Sequence, residues 1–332
     1  MEKVLLEIND LKTYFSRTDG RDIKAVDGVS FKIREQETVC VVGESGCGKS
    51  MTALSVMGLV PKPRGRIAGG EIFFEGKDLT KLGNDEMCGI RGNRISMIFQ
   101  EPMTSLNPVM TVGKQINESL LVHGKATKKD AMKRVKEMLK TVGISRIDKI
   151  INEYPHQLSG GMRQRVMIAM ALICEPSLLI ADEPTTALDV TIQAQVLDLM
   201  RELKTKVKTA VLFITHDLGV VADMADTVVV MYAGQAVEIA PADELFSRPS
   251  HPYTRALLES IPYIDREMET LFSINGTVPD AAFFPEGCRF AERCAFYDNT
   301  ICSANSTVDL KELEEGHYMR CMRNAGRLQA DE

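Results

Sequence analysis

Residues 38–50 read Thr38-Val39-Cys40-Val41-Val42-Gly43-Glu44-Ser45-Gly46-Cys47-Gly48-Lys49-Ser50. The first five are compact and rich in β-branched side chains, a run suited to a parallel strand buried on both faces. The next eight fit the pattern G-x-x-x-x-G-K-[ST]. An apolar helix follows, from about Lys49 to Leu59. Strand, glycine-rich loop and helix in that order gather backbone N–H groups and a helix N-terminus at one point. Glycines permit close backbone approach, and the aligned donors suit a phosphate group. In this reading Lys49 reaches the β- and γ-phosphates of a nucleotide and the Ser50 hydroxyl ligates Mg²⁺. A chance glycine-rich turn is the bland alternative, and the flanking strand and helix argue against it.

Strands alternate with helices outward from this loop. Val4–Ile8, Gly28–Ile33 and Gly69–Gly76 read as short strands with polar or glycine boundaries. Thr111 to about Val142 is helical in pattern, with Ala131, Val135, Met138 and Leu139 three and four residues apart. Gly161–Ile173 is a helix apolar almost all round, hence buried, and Pro176 follows it. Leu178–Ala181 and Ala210–Thr215 are further strands. Between them lies a helix with Val196, Met200 and Leu203 on one face and Asp189 as its N-cap. The order implies an α/β fold with a parallel core. Beyond about Pro241 the pattern weakens, which sets an expected boundary between residues 1–240 and 241–332.

Bulk properties narrow the class. The 332 residues are 44% hydrophobic and 26% charged, values of an ordinary globular protein. The net charge of −6 argues against a broad nucleic-acid-binding face, so no nucleic-acid partner is expected. The acidic start MEKVLLEINDLK is unlike a secretory leader. No uninterrupted apolar run approaches the roughly 18 residues of a membrane span. Any membrane association is expected to come through a partner.

Two further motifs complement the loop. Leu178-Leu179-Ile180-Ala181-Asp182-Glu183 is an apolar strand ending in two acids. Asp182 suits the Mg²⁺ shell and Glu183 the polarisation of an attacking water. Leu158-Ser159-Gly160-Gly161-Met162-Arg163-Gln164 puts a hydroxyl and amides at a helix start, a second anion site. Phosphate loop, Gln100, Ser-Gly-Gly, acidic strand end and His216 occur in an order that resembles the ATP-binding domain of ABC transporters, over roughly residues 1–240.

That resemblance implies the remaining roles. The fold would be a phosphate-loop NTPase core of ABC type, with an antiparallel β-subdomain, a helical subdomain at about 101–165 and a C-terminal cysteine-containing extension. ATP would contact Gly43, Ser45, Gly46, Cys47, Gly48, Lys49, Ser50 and Met51, the last standing where many family members carry threonine. Phe15 or Tyr14 would stack on adenine. Mg²⁺ would be held by Ser50, Gln100 and Asp182. Catalysis would use Glu183 as general base, His216 at the γ-phosphate and Gln100 as the coupling glutamine. Ser159, Gly160, Gly161 and Gln164 look like the signature that grips ATP bound to a partner subunit, and Asp189 looks like the D-loop aspartate. One chain carries one loop and one signature, so hydrolysis implies a dimer.

The second half resembles the oligopeptide, dipeptide and nickel importer group, through Gln100–Pro108, Arg248–Thr254 and a cysteine tail. Met57-Gly58-Leu59, Gly70–Phe74 and Phe99–Met103 look like the D-type ATPase of peptide permeases. Expected partners are an F-type ATPase subunit, two transmembrane permeases and an external substrate-binding protein. The expected location is the cytoplasmic face of the membrane. Peptide cargo is favoured over nickel. A soluble ATPase acting on DNA or ribosomes is the rival from another class. His251-Pro252-Tyr253-Thr254 also reads simply as a capped helix start with proline at N1.

Four of the eight cysteines, Cys288, Cys294, Cys302 and Cys321, fall in the tail with the spacing C-x5-C-x7-C-x18-C. Short segments poor in large apolar residues need a staple, and a metal supplies one. Zinc usually shows closer pairs. The family resemblance points to a [4Fe–4S] cluster on these four residues, with zinc and unmetallated thiols as alternatives. His317 is expected to be a solvated loop residue rather than a ligand.

Overall fold

The computed structural model describes residues 3–100, 105–186, 189–261, 273–302 and 307–323. The chain forms two compact units. The first comprises mainly Lys81–Ile214. Its strands β6 (Ile95–Ile98), β7 (Leu178–Asp182) and β8 (Ala210–Ile214) are parallel, with Ile95 opposite Leu178 and Leu178 opposite Ala210. Every residue of the three is buried, which explains their unbroken apolar character.

The helical stretch expected from Thr111 to Val142 is two helices, Val112–Val122 and Lys128–Thr141. Gly124, at φ +61°, turns the chain between them, and the Thr127 hydroxyl accepts from the Asp130 N–H to start the second. The second helix buries Ala131, Val135 and Leu139, a stripe of spacing four. Gly160–Leu172 is buried from Gln164 onward, at Gln164, Val166 to Ala169, Ala171 and Leu172, while its first turn is exposed or half-buried. Asp189 caps Val190–Val207 by accepting from the Ile192 N–H at 2.9 Å.

The second unit comprises Leu6–Lys32, Thr38–Thr80 and Thr215–Glu332. One sheet has the order β2 (Asp22–Arg34), β1 (Val4–Ser16), β4 (Gly65–Phe74), β5 (Lys77–Asp78). Its pairs β1–β4 and β4–β5 are antiparallel. In the same unit β3 (Thr38–Val42) is parallel to β9 (Thr227–Tyr232), which pairs antiparallel with β10 (Gln235–Pro241).

The extension does not stand apart from this unit's core. Strands β11 (Lys311–Glu314) and β12 (His317–Met319) pair with each other, and β12 continues the sheet from β10. Phe290, 2% exposed, sits with its ring centroid 5.2 Å from Tyr232 and 5.4 Å from Tyr253. A tail expected to need a staple of its own therefore shares the buried aromatic core. No helix among the described residues is long and apolar enough to cross a membrane.

Candidate functional site

In the second unit, β3 delivers the chain into the glycine loop. Gly43 adopts φ +147°, Gly46 +79° and Gly48 +103°. A Cβ on Gly43 would lie 2.1 Å from the Met231 carbonyl oxygen, and one on Gly48 would lie 2.3 Å from that of Ala25. Only glycine meets both constraints. Gly48 also precedes the helix Lys49–Val56, whose N-terminus has no side-chain cap. A helix N-terminus of this kind favours an anion through its aligned backbone dipoles. Lys49, 6% exposed, donates from Nζ to the carbonyls of Gly43 (2.7 Å) and Glu44 (3.1 Å). Ser45 is exposed, Ser50 and Met51 are half-buried, and Cys47 is buried, its thiol pushed up by burial.

Tyr14 and Phe15 are both half-buried on β1. The Tyr14 hydroxyl donates to Asp27, which also pairs with Arg289. Burial, then that hydrogen bond, raises the Tyr14 phenol above its ordinary range. His216 is exposed, directly before Asp217, whose carboxylate caps Leu218–Met224 through the Gly219 N–H at 2.9 Å.

In the first unit, β7 ends at Asp182, which is 5% exposed. Glu183 then takes φ +47°, and its N–H donates to the Ile214 carbonyl at 2.9 Å. Its Oε2 accepts from Gln100 Nε2 (3.0 Å) and from the Thr186 hydroxyl (2.9 Å). Two sequence-distant candidates, the glutamine after β6 and the acid after β7, are in direct contact. Ala187 and Leu188, directly before Asp189, and Glu101–Thr104, within Gln100–Pro108, lie outside the described residues.

Ser159 caps the helix Gly160–Leu172, its hydroxyl accepting from the Met162 N–H at 3.4 Å. Ser159, Gly160, Gly161 and Asp189 line one open cavity of about 380 Å³. Arg165 lines it too and was not singled out from the sequence. Gln164 does not line it: the side chain is buried and donates to the Pro184 carbonyl.

The four tail cysteines, far apart in sequence, are each half-buried and line one cavity of about 20 Å³. Burial raises the thiols of Cys288 and Cys321, and that of Cys294 to about 11. Yet among the described residues no group of three or more His, Cys, Asp or Glu is arranged to hold a metal ion. His317 is not a solvated loop residue. It is 5% exposed on β12 and its Nε2 lies 2.8 Å from the fully buried Glu238 carboxylate. Glu238 also accepts from the N–H groups of Ser250 (2.7 Å) and His251 (2.9 Å). His251 is the N-cap of Pro252–Glu259, with proline at N1 as expected.

The family model for the ABC transporter matches residues 26–186, and that for the oligopeptide/dipeptide transporter C-terminal region matches 237–302. The oligopeptide transport ATP-binding protein AppD of Bacillus subtilis (strain 168) is 61% identical over 290 residues, covering 87% of this chain and 88% of that protein. The dipeptide transport ATP-binding protein DppD of the same organism is 55% identical over 294 residues, covering 89% and 87%. Among solved structures, the dimeric ATP-binding cassette MJ0796 in a post-hydrolysis state bound to ADP and Pi is similar. Its TM-score is 0.64 at 27% identity, over 71% of this chain and 98% of that one.

Proposed function

The chain belongs to the ATP-binding subunits of ABC-type oligopeptide and dipeptide transporters, and from that premise we propose that it hydrolyses ATP to drive uptake of di- or oligopeptides across the cytoplasmic membrane. The observation that carries the nucleotide reading is the loop whose Gly43 and Gly48 admit no Cβ, with Lys49 folded against its carbonyls. Cargo is carried by the names of the relatives and the match of the C-terminal region.

The loop amides and the N-terminus of Lys49–Val56 bind the phosphates, and Lys49 exchanges loop carbonyls for phosphate oxygens. Ser50, Gln100 and Asp182 are the residues that would hold Mg²⁺, which would supply charge neutralisation on the phosphates. Glu183 takes the proton of the attacking water as general base, and Gln100 orients its carboxylate. His216 meets the γ-phosphate. Tyr14 or Phe15 stacks on adenine. Ser159, Gly160 and Gly161 grip the nucleotide of a second subunit across a dimer interface, with Asp189 beside them. That second subunit is an F-type ATPase, joined to two permeases at the cytoplasmic face and fed by a substrate-binding protein. Residues 1–240 form the ATP-binding domain and 241–332 the importer-type extension.

In this reading Cys288, Cys294, Cys302 and Cys321 would hold a [4Fe–4S] cluster. Its support is the donor set, four thiols on one cavity, which suits iron–sulfur chemistry. The cluster is structural or regulatory, since ATP hydrolysis needs no electron transfer. Purification from membranes tests the whole proposal. Recovery of two permeases and a second ATPase, with peptide-stimulated ATP hydrolysis, supports it. Stimulation by DNA or ribosomes instead overturns it.

A further inference from the structure

Glu44, the second residue of the glycine loop, is held through all three of its polar groups. Its carbonyl accepts from Lys49 within the loop, at 3.1 Å. The other two partners come from the C-terminal extension. The Glu44 N–H donates to the Tyr253 hydroxyl at 3.0 Å. Its carboxylate takes a two-pronged bond from Arg293, Nη1 to Oε2 at 2.8 Å and Nη2 to Oε1 at 3.0 Å. The Arg293 side chain is 7% exposed and that of Glu44 25%, so solvent screens the pair little. Arg293 is itself fixed, donating Nε to the Asn275 carbonyl at 2.9 Å and lying 5.7 Å from the Tyr232 ring centroid. Tyr253 is fully buried.

We propose that Arg293 is a positioning residue for nucleotide binding, bracing the phosphate loop from the C-terminal extension by pairing with Glu44. The inference rests on the phosphate-loop reading above. Glu44 puts a full negative charge one residue after Gly43, in a loop built to receive polyphosphate. Left unpaired, that carboxylate repels the ligand and competes for Lys49. Paired in fork geometry, it is neutralised and pinned. The loop's glycines carry no side chains to hold their own conformation, so an outside anchor lowers the ordering cost of binding. Arg293 directly precedes Cys294, so the thiol-lined segment carries the brace.

The test is calorimetric titration of the full chain with Mg²⁺-AMPPNP. Arg293→Gln is expected to raise Kd about tenfold and Arg293→Lys about threefold, because lysine keeps charge but not the fork. In steady-state ATP hydrolysis KM rises in step while kcat stays within twofold. Arg248→Gln, an exposed arginine of the extension paired with Glu244, leaves Kd unchanged. Glu44→Gln in the Arg293→Gln background is expected to recover most of the lost affinity, since it removes the unpaired carboxylate. A merely structural arginine gives no such rescue. Arg293→Gln binding within twofold of the parent overturns the proposal, and so does loss without rescue. If Arg293→Gln fails to fold, Arg293→Lys decides: unchanged Kd overturns the brace. Lys49→Ala separates the two layers. Parental affinity in that variant sinks the phosphate-loop reading itself, whereas its loss beside an unaffected Arg293→Gln sinks only the brace.

Discussion

Gln100 donates its side-chain N–H to Oε2 of Glu183 at 3.0 Å, although 83 residues separate them. β6 and β7 are adjacent and parallel, and each candidate follows the C-terminal end of its strand. Glu183 is anchored further by Thr186 and by its own N–H on Ile214. Its left-handed φ of +47° is a conformation that non-glycine residues adopt rarely.

This geometry makes Glu183→Gln a clean separation of binding from chemistry. Glutamine keeps the side-chain shape and the acceptor for Gln100, but cannot take a proton. ATP hydrolysis should fall by about 100-fold or more, the usual contribution of a general base. Nucleotide affinity should hold within a few-fold. A hydrolysis assay beside a binding titration checks both, and weak binding with residual turnover contradicts the assignment.

Gly43→Ala and Gly46→Ala should differ in kind. At Gly43 an added Cβ meets the Met231 carbonyl at 2.1 Å, and at Gly46 it meets nothing within 4 Å. Both carry positive φ, so both pay backbone strain of about 1 kcal/mol or more. Only Gly43→Ala must also displace β9 backbone. It should lose nucleotide binding and several degrees of Tm, while Gly46→Ala loses a degree or two. Thermal melts with and without nucleotide make the comparison.

Much of the core was legible in the sequence because its signals are local. The strand at Thr38–Val42, the caps Ser159 and Asp189 and the proline after His251 each depend on residues within one turn of each other. What stayed hidden is long-range. Nothing near Arg293 announces Glu44, 249 residues away, and nothing near His317 announces Glu238, 79 residues away. Strands β11 and β12 are short and polar enough to lack an apolar alternation. Phe290 inside a cysteine-rich segment reads as tail until Tyr232 and Tyr253 close around it. The clue on offer was the pair of arginines, Arg289 and Arg293, beside Cys288 and Cys294, since buried arginines need acidic partners.

Acid should loosen the extension through His251. The imidazole is 1% exposed, and burial pushes its pKa from 6.5 down to about 4. Its Nδ1 accepts from the Tyr253 N–H at 3.0 Å, so protonation there abolishes the helix cap. Between pH 6.5 and about 4 the unfolded chain takes up a proton that the folded chain refuses. Stability is therefore whole above 6.5 and declines as pH falls, by about 2 kcal/mol at pH 5. His251→Asn keeps a capping acceptor without a titrating ring. Urea midpoints should fall from pH 7.5 to 5 in the parent and fall less in the variant. Equal slopes contradict the assignment.

The cysteine reading stands or falls on iron. Four free thiols on one cavity are a donor set that suits an iron–sulfur cluster. Anaerobically purified chain should be brown, with broad visible absorbance and about four iron atoms per chain. Cys288→Ser should remove the colour and Glu183→Gln should keep it, because the acid lies in the other unit. Chelation of the cluster should lower Tm by releasing the segment 288–302, but should spare the aromatic packing of Phe290, which contacts Tyr232 and Tyr253 without it. Colourless protein without iron, in which all four thiols react freely with a thiol reagent, leaves Phe290, the Arg289–Asp27 and Arg293–Glu44 pairs and strands β11 and β12 to hold the extension in place.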